Sequence, residues 1–275
     1  ADTLTSFDSD GFALGADVKV NTDTEAYVAW CWKAGTAFSN DASATSIGDI
    51  DSSGSASDAS GFSIVSYTGT GSAGTIKHGL STAPVITLIK TRTGVVTNWN
   101  FLTYQIDGSC DELALNLSSE GKTDRSITAP TSSVFSVDTA EDRNGSGVSN
   151  IAYCFAPKQG YSAMGSYTGN GDDDGVFIYT GFKPAFVITR QTNSANYWHI
   201  HDNKRNTFNV VNTQLQANDS GVDNTPAGGE NSRDFLSNGF KFRDADHNNQ
   251  AHSYIYIAFA EAPFVNSNGV PCNAR

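Results

Sequence analysis

The hexapeptide Ser66-Tyr67-Thr68-Gly69-Thr70-Gly71 returns 100 positions further on as Ser166-Tyr167-Thr168-Gly169-Asn170-Gly171. More of the sequence follows each copy in the same order, which marks an internal repeat. A glycine with an apolar partner, a proline and an apolar run come next: Gly79-Leu80, Pro84 and Val85 to Lys90 in the first copy, Gly181-Phe182, Pro184 and Ala185 to Arg190 in the second. Asn98-Trp99 and Tyr197-Trp198 follow. Each copy closes on a phenylalanine-bearing run and then an aromatic one, Ser133 to Ser136 with Ile151 to Ala156, and Ser237 to Phe242 with Tyr254 to Ala260.

A third, partial copy stands at the beginning. Ser9 to Gly15 and Ala26 to Lys33 match only the closing half of a repeat. The sequence thus divides into a closing half-repeat over residues 1–35, a linker over 36–60, a first repeat over 61–157 and a second over 158–275. The linker assignment rests on a composition dominated by Ser, Asp and Ala. Only Pro157 to Gly160 separate the two full repeats, so they are expected to pack end to end. A half-repeat standing alone would lack strand partners; either upstream sequence carries its opening half, or it completes a sheet in the second repeat, a neighbouring subunit or another protein.

Within the repeats, Val85, Thr87 and Ile89 face one way and Ile86, Leu88 and Lys90 the other, the period of a strand. Turn residues interrupt such runs at short intervals, and no amphipathic helix of three turns is found. The 26 Gly, 16 Phe and 10 Tyr beside a single Met are strand and turn chemistry. The fold class is therefore all-β: tandem antiparallel β-sandwich domains with an N-terminal partial repeat.

A net charge of −12 over 275 residues argues against nucleic-acid binding, which needs clustered Lys and Arg. No run approaches the ~20 apolar residues of a membrane-spanning helix. The opening residues lack the basic and apolar regions of a signal peptide. Cys31 and Cys154 sit in apolar runs and read as buried thiols, Cys110 and Cys272 in polar loops, all four expected free.

The strings Tyr27-Val28-Ala29-Trp30-Cys31-Trp32-Lys33, Ser166 to Gly171, Tyr179-Thr180-Gly181-Phe182-Lys183-Pro184-Ala185-Phe186-Val187 and Tyr256-Ile257-Ala258-Phe259-Ala260-Glu261 resemble the C-terminal repeat region of tail-fibre and virion structural proteins of marine tailed phages. The resemblance implies a structural virion protein of a tail or surface fibre. It implies extracellular exposure, self-association as a homo-oligomer, contact with other virion proteins and attachment to host surface polysaccharide. Two further readings stand beside it: a secreted or cell-surface carbohydrate-binding module, and a polymerising fibre subunit that uses strand complementation. No catalytic residue follows from the resemblance. The residues themselves supply no nucleophile elbow, zinc spacing or fixed carboxylate pair, so the chain is read as not an enzyme and without a cofactor.

Three sets of residues are candidate sites. Trp99, Tyr104, Tyr197 and Trp198 are candidate glycan platforms, since sugar rings stack on aromatic faces; recurrence of the Trp at equivalent places equally suits core packing. His199 and His201 alternate on one strand face and suit a metal, or an ordinary half-exposed strand. Asp172, Asp173 and Asp174 offer hard oxygens to calcium, or form a solvated turn. The polar loops 138–149 and 216–234 are the expected recognition surface.

Overall fold

The computed structural model describes residues 2–9, 11–94, 96–118, 122–219, 221, 223, 225 and 230–261. With 41% of the chain in strands and 5% in helix, the protein is all-β with antiparallel sheets of sandwich type. It divides into two units, Ala1–Cys31 and Trp32–Arg275. None of the helices, at four residues each, is long and apolar enough to cross a membrane.

The first unit is a hairpin, β1 (Leu4–Phe7) with β2 (Phe12–Leu14), and a single helical turn, α1 (Val18–Asn21), capped by Asp17. None of its described side chains is buried, and Phe7 is 82% exposed. The aromatic run Tyr27 to Trp32, expected as a strand, has no strand ladder. Cys31 is exposed, not buried as its apolar neighbours suggested. A β-strand is stable only when its backbone groups pair with a neighbouring strand.

The second unit begins with β3 (Thr36–Asn40), the turn α2 (Ala42–Thr45) and β4 (Ser52–Ser57). These elements correct the linker expectation for residues 36–60. Small residues serve close approach there: a Cβ on Gly54 would lie 2.0 Å from the Ile64 carbonyl oxygen. The first full repeat continues with β5 (Phe62–Thr68), β6 (Gly74–Lys77), β7 (Ile86–Thr91), β8 (Asn100–Thr103), β9 (Cys110–Ala114), β10 (Thr123–Arg125), β11 (Val134–Val137), α3 (Glu141–Asn144) and β12 (Ser149–Phe155). An eight-stranded sheet in the order β10-β9-β8-β7-β12-β5-β4-β3 faces the pair β11-β6. Cys110 opens β9 and is buried, a correction to its loop assignment, and burial pushes the Cys154 thiol up to about 12.

The second repeat runs β13 (Ser162–Thr168), β14 (Phe177–Tyr179), β15 (Pro184–Gln191), β16 (His199–Asp202), β17 (Leu215–Gln216), β18 (Arg233–Leu236), β19 (Gly239–Phe242) and β20 (Ser253–Ala260). Its sheets are β13-β20-β15-β16-β17, in the order of β5-β12-β7-β8-β9, and β14-β19-β18, which matches β6-β11 and adds β18. The apolar centre is Ile50, Val65, Ile76, Ile89, Leu102, Phe135 and neighbours in the first repeat. In the second it is Ile178, Phe182, Val187, Phe235, Phe240 and Phe242.

The recurring hexapeptide has a local reason in both copies. The Tyr67 hydroxyl donates to the Arg143 carbonyl oxygen (2.5 Å), and Tyr167 to that of Asn248 (2.8 Å). A Cβ on Gly69 would lie 2.3 Å from the Gly145 carbonyl oxygen, and one on Gly169 2.1 Å from that of Gln250. Gly71 and Gly171 take positive φ (74° and 66°), which glycine adopts at little cost. A fully buried asparagine ties each turn down. Asn144 Nδ2 donates to the Ser72 and Asp138 carbonyls, and Asn249 Nδ2 to those of Asp172 and Asp244.

Aromatic side chains cement the two repeats. Trp32 packs edge-on against Phe155, Phe186 and Phe259, with centroids 6.5, 5.7 and 5.4 Å away. On the far strands Trp198 lies 4.9 Å from Phe101, and its Nε1 donates to the Ala114 carbonyl oxygen at 2.9 Å.

Replacing Asn249 by Ala leaves the buried Asp244 carbonyl without its donor, worth ~1–3 kcal/mol, and removes the partly buried bond to the Asp172 carbonyl as well. Urea unfolding should therefore show a loss of about 2–4 kcal/mol for Asn249→Ala and under about 0.5 kcal/mol for the exposed neighbour Asn170→Asp.

Candidate functional site

Alternating strand residues bring an unusual set of polar side chains into the second sandwich. His199 and His201 point to the same face of β16, opposite Thr189 and Val187 of β15. Both imidazoles are fully buried, as are Thr189, Asn231, Arg233 and Asn248. His199 Nδ1 lies 2.7 Å from Gln214 Oε1, and its ring stands edge-on to His247 at 6.0 Å. Asn248 Nδ2 donates to Asn231 Oδ1 (2.8 Å) and its Oδ1 accepts from Thr189 (3.0 Å). The Arg233 guanidinium lies over the Phe242 ring at 4.8 Å.

Burial sets the charge of these groups. Desolvation pulls His199 down to about 3 and His201 well below the usual imidazole range, so both are neutral at pH 7. Desolvation also lowers Arg233 to about 10 and raises the Asp244 carboxyl. With Gln214 Oε1 accepting from Nδ1–H, the His199 tautomer is fixed and its Nε2 is left as an unpartnered buried acceptor.

Above this cluster is a cavity of about 420 Å³ lined by Ser118, Ala195, Asn196, Tyr197, Gln214, Gln216, Glu230, Asn231 and His247. Two of its walls, Asn231 and His247, hold positive φ (57° and 38°). Such backbone is costly for a residue with a side chain and persists only where the surroundings hold it.

The first repeat fills the corresponding interior differently. Strand pairing makes Ile89, Asn100, Leu102 and Glu112 the counterparts of Thr189, His199, His201 and Gln214, and the tyrosine contact makes Arg143 the counterpart of Asn248. Arg143 is buried and held by Asp138 at 2.7 Å, Asp142 at 3.1 Å and Glu112 at 3.1 Å. A guanidinium thus spans from the return loop to β9. In the second repeat the shorter Asn248 turns to Asn231 and Thr189, while Gln214 lines the cavity.

Of the expected glycan platforms, Tyr197 alone borders the cavity, 41% exposed. Trp198 is fully buried in the inter-repeat joint, which corrects its reading as a platform. Trp99 is half-buried and stacked on Tyr153 at 6.1 Å. Tyr104 packs against the first core and donates to the Ile127 and Thr128 carbonyls. The histidines share a face as expected, but His199 is engaged with Gln214, and among the described residues no third ligand gathers around them.

The Asp172, Asp173 and Asp174 turn is not a calcium cradle. Asp174 is drawn to Lys241 (2.9 Å), and the Asp172 carboxylate accepts from the Asp174 N–H. The described carboxylates that do converge are Asp107, Asp111 and Asp124, and the Lys122 ammonium lies among them, holding Asp107 low. Loop 138–149 is spent on α3 and the buried Arg143 and Asn144, which corrects its assignment to recognition. From loop 216–234, Gln216, Glu230 and Asn231 line the cavity; residues 220, 222, 224 and 226–229 lie outside the described residues, as does Cys272.

Fold and site together define an all-β protein of two unequal sandwich repeats, one closed by ion pairs and one opened by a polar cavity. The chain belongs to the family described as a domain of unknown function, DUF7483, whose model matches residues 1–263. No curated protein and no solved structure matches it.

The neutral buried histidines fix a pH dependence. Between pH 6.5 and about 3 the unfolded chain binds a proton at position 199 that the folded one does not, so stability falls as pH falls through that window. Each such histidine adds a slope of ~1.4 kcal/mol per pH unit, opposed in part by the raised Asp244. Urea unfolding from pH 7 to pH 4 should show this slope, and His201→Leu should flatten it; an unchanged slope would place the acid sensitivity elsewhere.

Proposed function

We propose that this chain is a structural segment of a virion surface or tail fibre that presents a host-glycan contact on its second repeat. The aromatic joint carries the structural half of the reading. Trp32 against Phe155, Phe186 and Phe259 at one side and Trp198 against Phe101 at the other resist bending between the repeats, as a spacer requires. The adhesive half is supported by the cavity beside Tyr197, since binding residues commonly sit on loops held by a rigid scaffold. The phage resemblance of the repeat strings adds the virion context.

The first unit favours a second reading, a fibre subunit that polymerises by strand complementation. A two-stranded hairpin with none of its described side chains buried gains stability from outside strand partners. A secreted or cell-surface carbohydrate-binding module remains the third reading, and it differs in being monomeric.

Solution mass and binding to bacterial surface polysaccharide separate the three. The fibre reading expects a stable multimer that retains polysaccharide and keeps its mass when residues 1–31 are removed. Dissociation of that truncated chain would replace it by strand complementation. A monomer that binds polysaccharide would replace it by the carbohydrate-binding module, and a chain that binds no polysaccharide would remove the adhesive half.

A further inference from the structure

The cavity of the second repeat has a composition that selects among ligands. Its walls hold four side-chain amides, Asn196, Gln214, Gln216 and Asn231, with the Ser118 hydroxyl, the Tyr197 ring, the His247 imidazole and the Glu230 carboxylate. An amide offers donors and acceptors in one plane, which suits vicinal hydroxyls that both give and take protons. The volume of about 420 Å³ falls within the ~300–1,000 Å³ of small-molecule sites. Apolar ligands find little besides the Tyr197 ring to cover them.

Charge narrows the class further. Glu230 puts a carboxylate in the wall, and the chain as a whole carries −12. An acidic or sulfated sugar would meet repulsion there, whereas a neutral sugar hydroxyl can donate to Glu230.

The walls are also held in advance. Gln214 is oriented by His199, Asn231 by Asn248, and the His247 carbonyl accepts from the Tyr254 hydroxyl at 2.9 Å. Residues that fix the contacting groups from behind reduce the ordering cost of binding. The first repeat, on the same scaffold, spends this place on the Arg143 ion pairs instead. A buried polar cluster that the fold can do without is thus confined to one of two otherwise equivalent repeats.

We propose that the second repeat binds a neutral pyranose in this cavity, with the apolar face of the sugar on Tyr197 and its hydroxyls on the open wall groups Gln216 and Glu230, while the buried Gln214 and Asn231 shape the floor behind them. The inference rests on the glycan-attachment reading and specifies its ligand class and place.

The test is calorimetric titration of the full chain with two probe sets. One is methyl glucoside, galactoside and mannoside; the other is methyl glucuronide with sulfated galactoside. Saturable binding of at least one neutral glycoside is expected, with affinity reduced at least tenfold in Tyr197→Ala. The paired change Gln214→Glu with Asn248→Arg, which rebuilds the ion pair of the first repeat, should abolish binding. Circular dichroism melting checks that each variant folds, and the exposed Tyr197 site keeps the test decisive if the paired variant does not. Binding of the acidic set alone would overturn the neutral-sugar inference and leave glycan attachment standing. So would neutral binding that a folded Tyr197→Ala variant retains in full. Failure of both sets, with failure on bacterial polysaccharide, would overturn the inference and the attachment reading together.

Discussion

Each sandwich depends on one buried amide. Asn144 and Asn249 lie fully inside the protein and tie the loop before the last strand to the turn after the first. Since backbone groups taken out of water must find partners, this single side chain decides where two connections cross. It also explains the hexapeptide around it. The tyrosine anchors the return loop through its hydroxyl, the first glycine admits the neighbouring backbone, and the second supplies a left-handed turn. With those points fixed, the strands between them can differ widely in sequence and still pair in the same order.

That tolerance is where the repeats diverge. The first spends its interior on Ile89 and Leu102 and closes the end of the sandwich with Arg143 among three carboxylates. The second holds Thr189, His199, His201 and Arg233 in the comparable region. Buried polar groups weaken a fold unless every one is satisfied, and His199 Nε2 is not. Retaining such a cluster is costly in stability, and on the proposed reading the cavity above it is what the cost serves.

Much of this was legible in the residues. The tyrosine and two glycines of the hexapeptide announced the repeat because a phenol of fixed reach and two backbone positions without room for a Cβ or at positive φ permit little substitution. The strand period of residues 85–90 followed from alternation, and Tyr197 was one of four aromatics read among polar neighbours, beside Trp99, Tyr104 and Trp198. What was not legible had physical causes. Residues 36–60 look like a linker because Ser and Gly suit both solvated coil and a strand that must approach its neighbour closely, as Gly54 does. Trp198 and Tyr197 are adjacent, and only the strand register says that one faces the other repeat while the other borders the cavity. The exchange of Arg143 for Asn248 was hidden because loop lengths differ between the copies, so the pairing emerges only from the shared tyrosine contact.

On the proposed reading, the polar interior of the second repeat is kept for binding at the expense of stability. This is tested most directly by giving that repeat the interior of the first, Thr189→Ile with His199→Asn and His201→Leu, and measuring the urea midpoint at pH 7 alongside retention on bacterial polysaccharide. A raised midpoint with weakened retention is the expected result, since at positions 189 and 201 well-packed apolar groups replace buried polar ones at no loss or a gain. A lowered midpoint with retention unchanged would contradict it, and would make the histidine cluster a structural part of the sandwich.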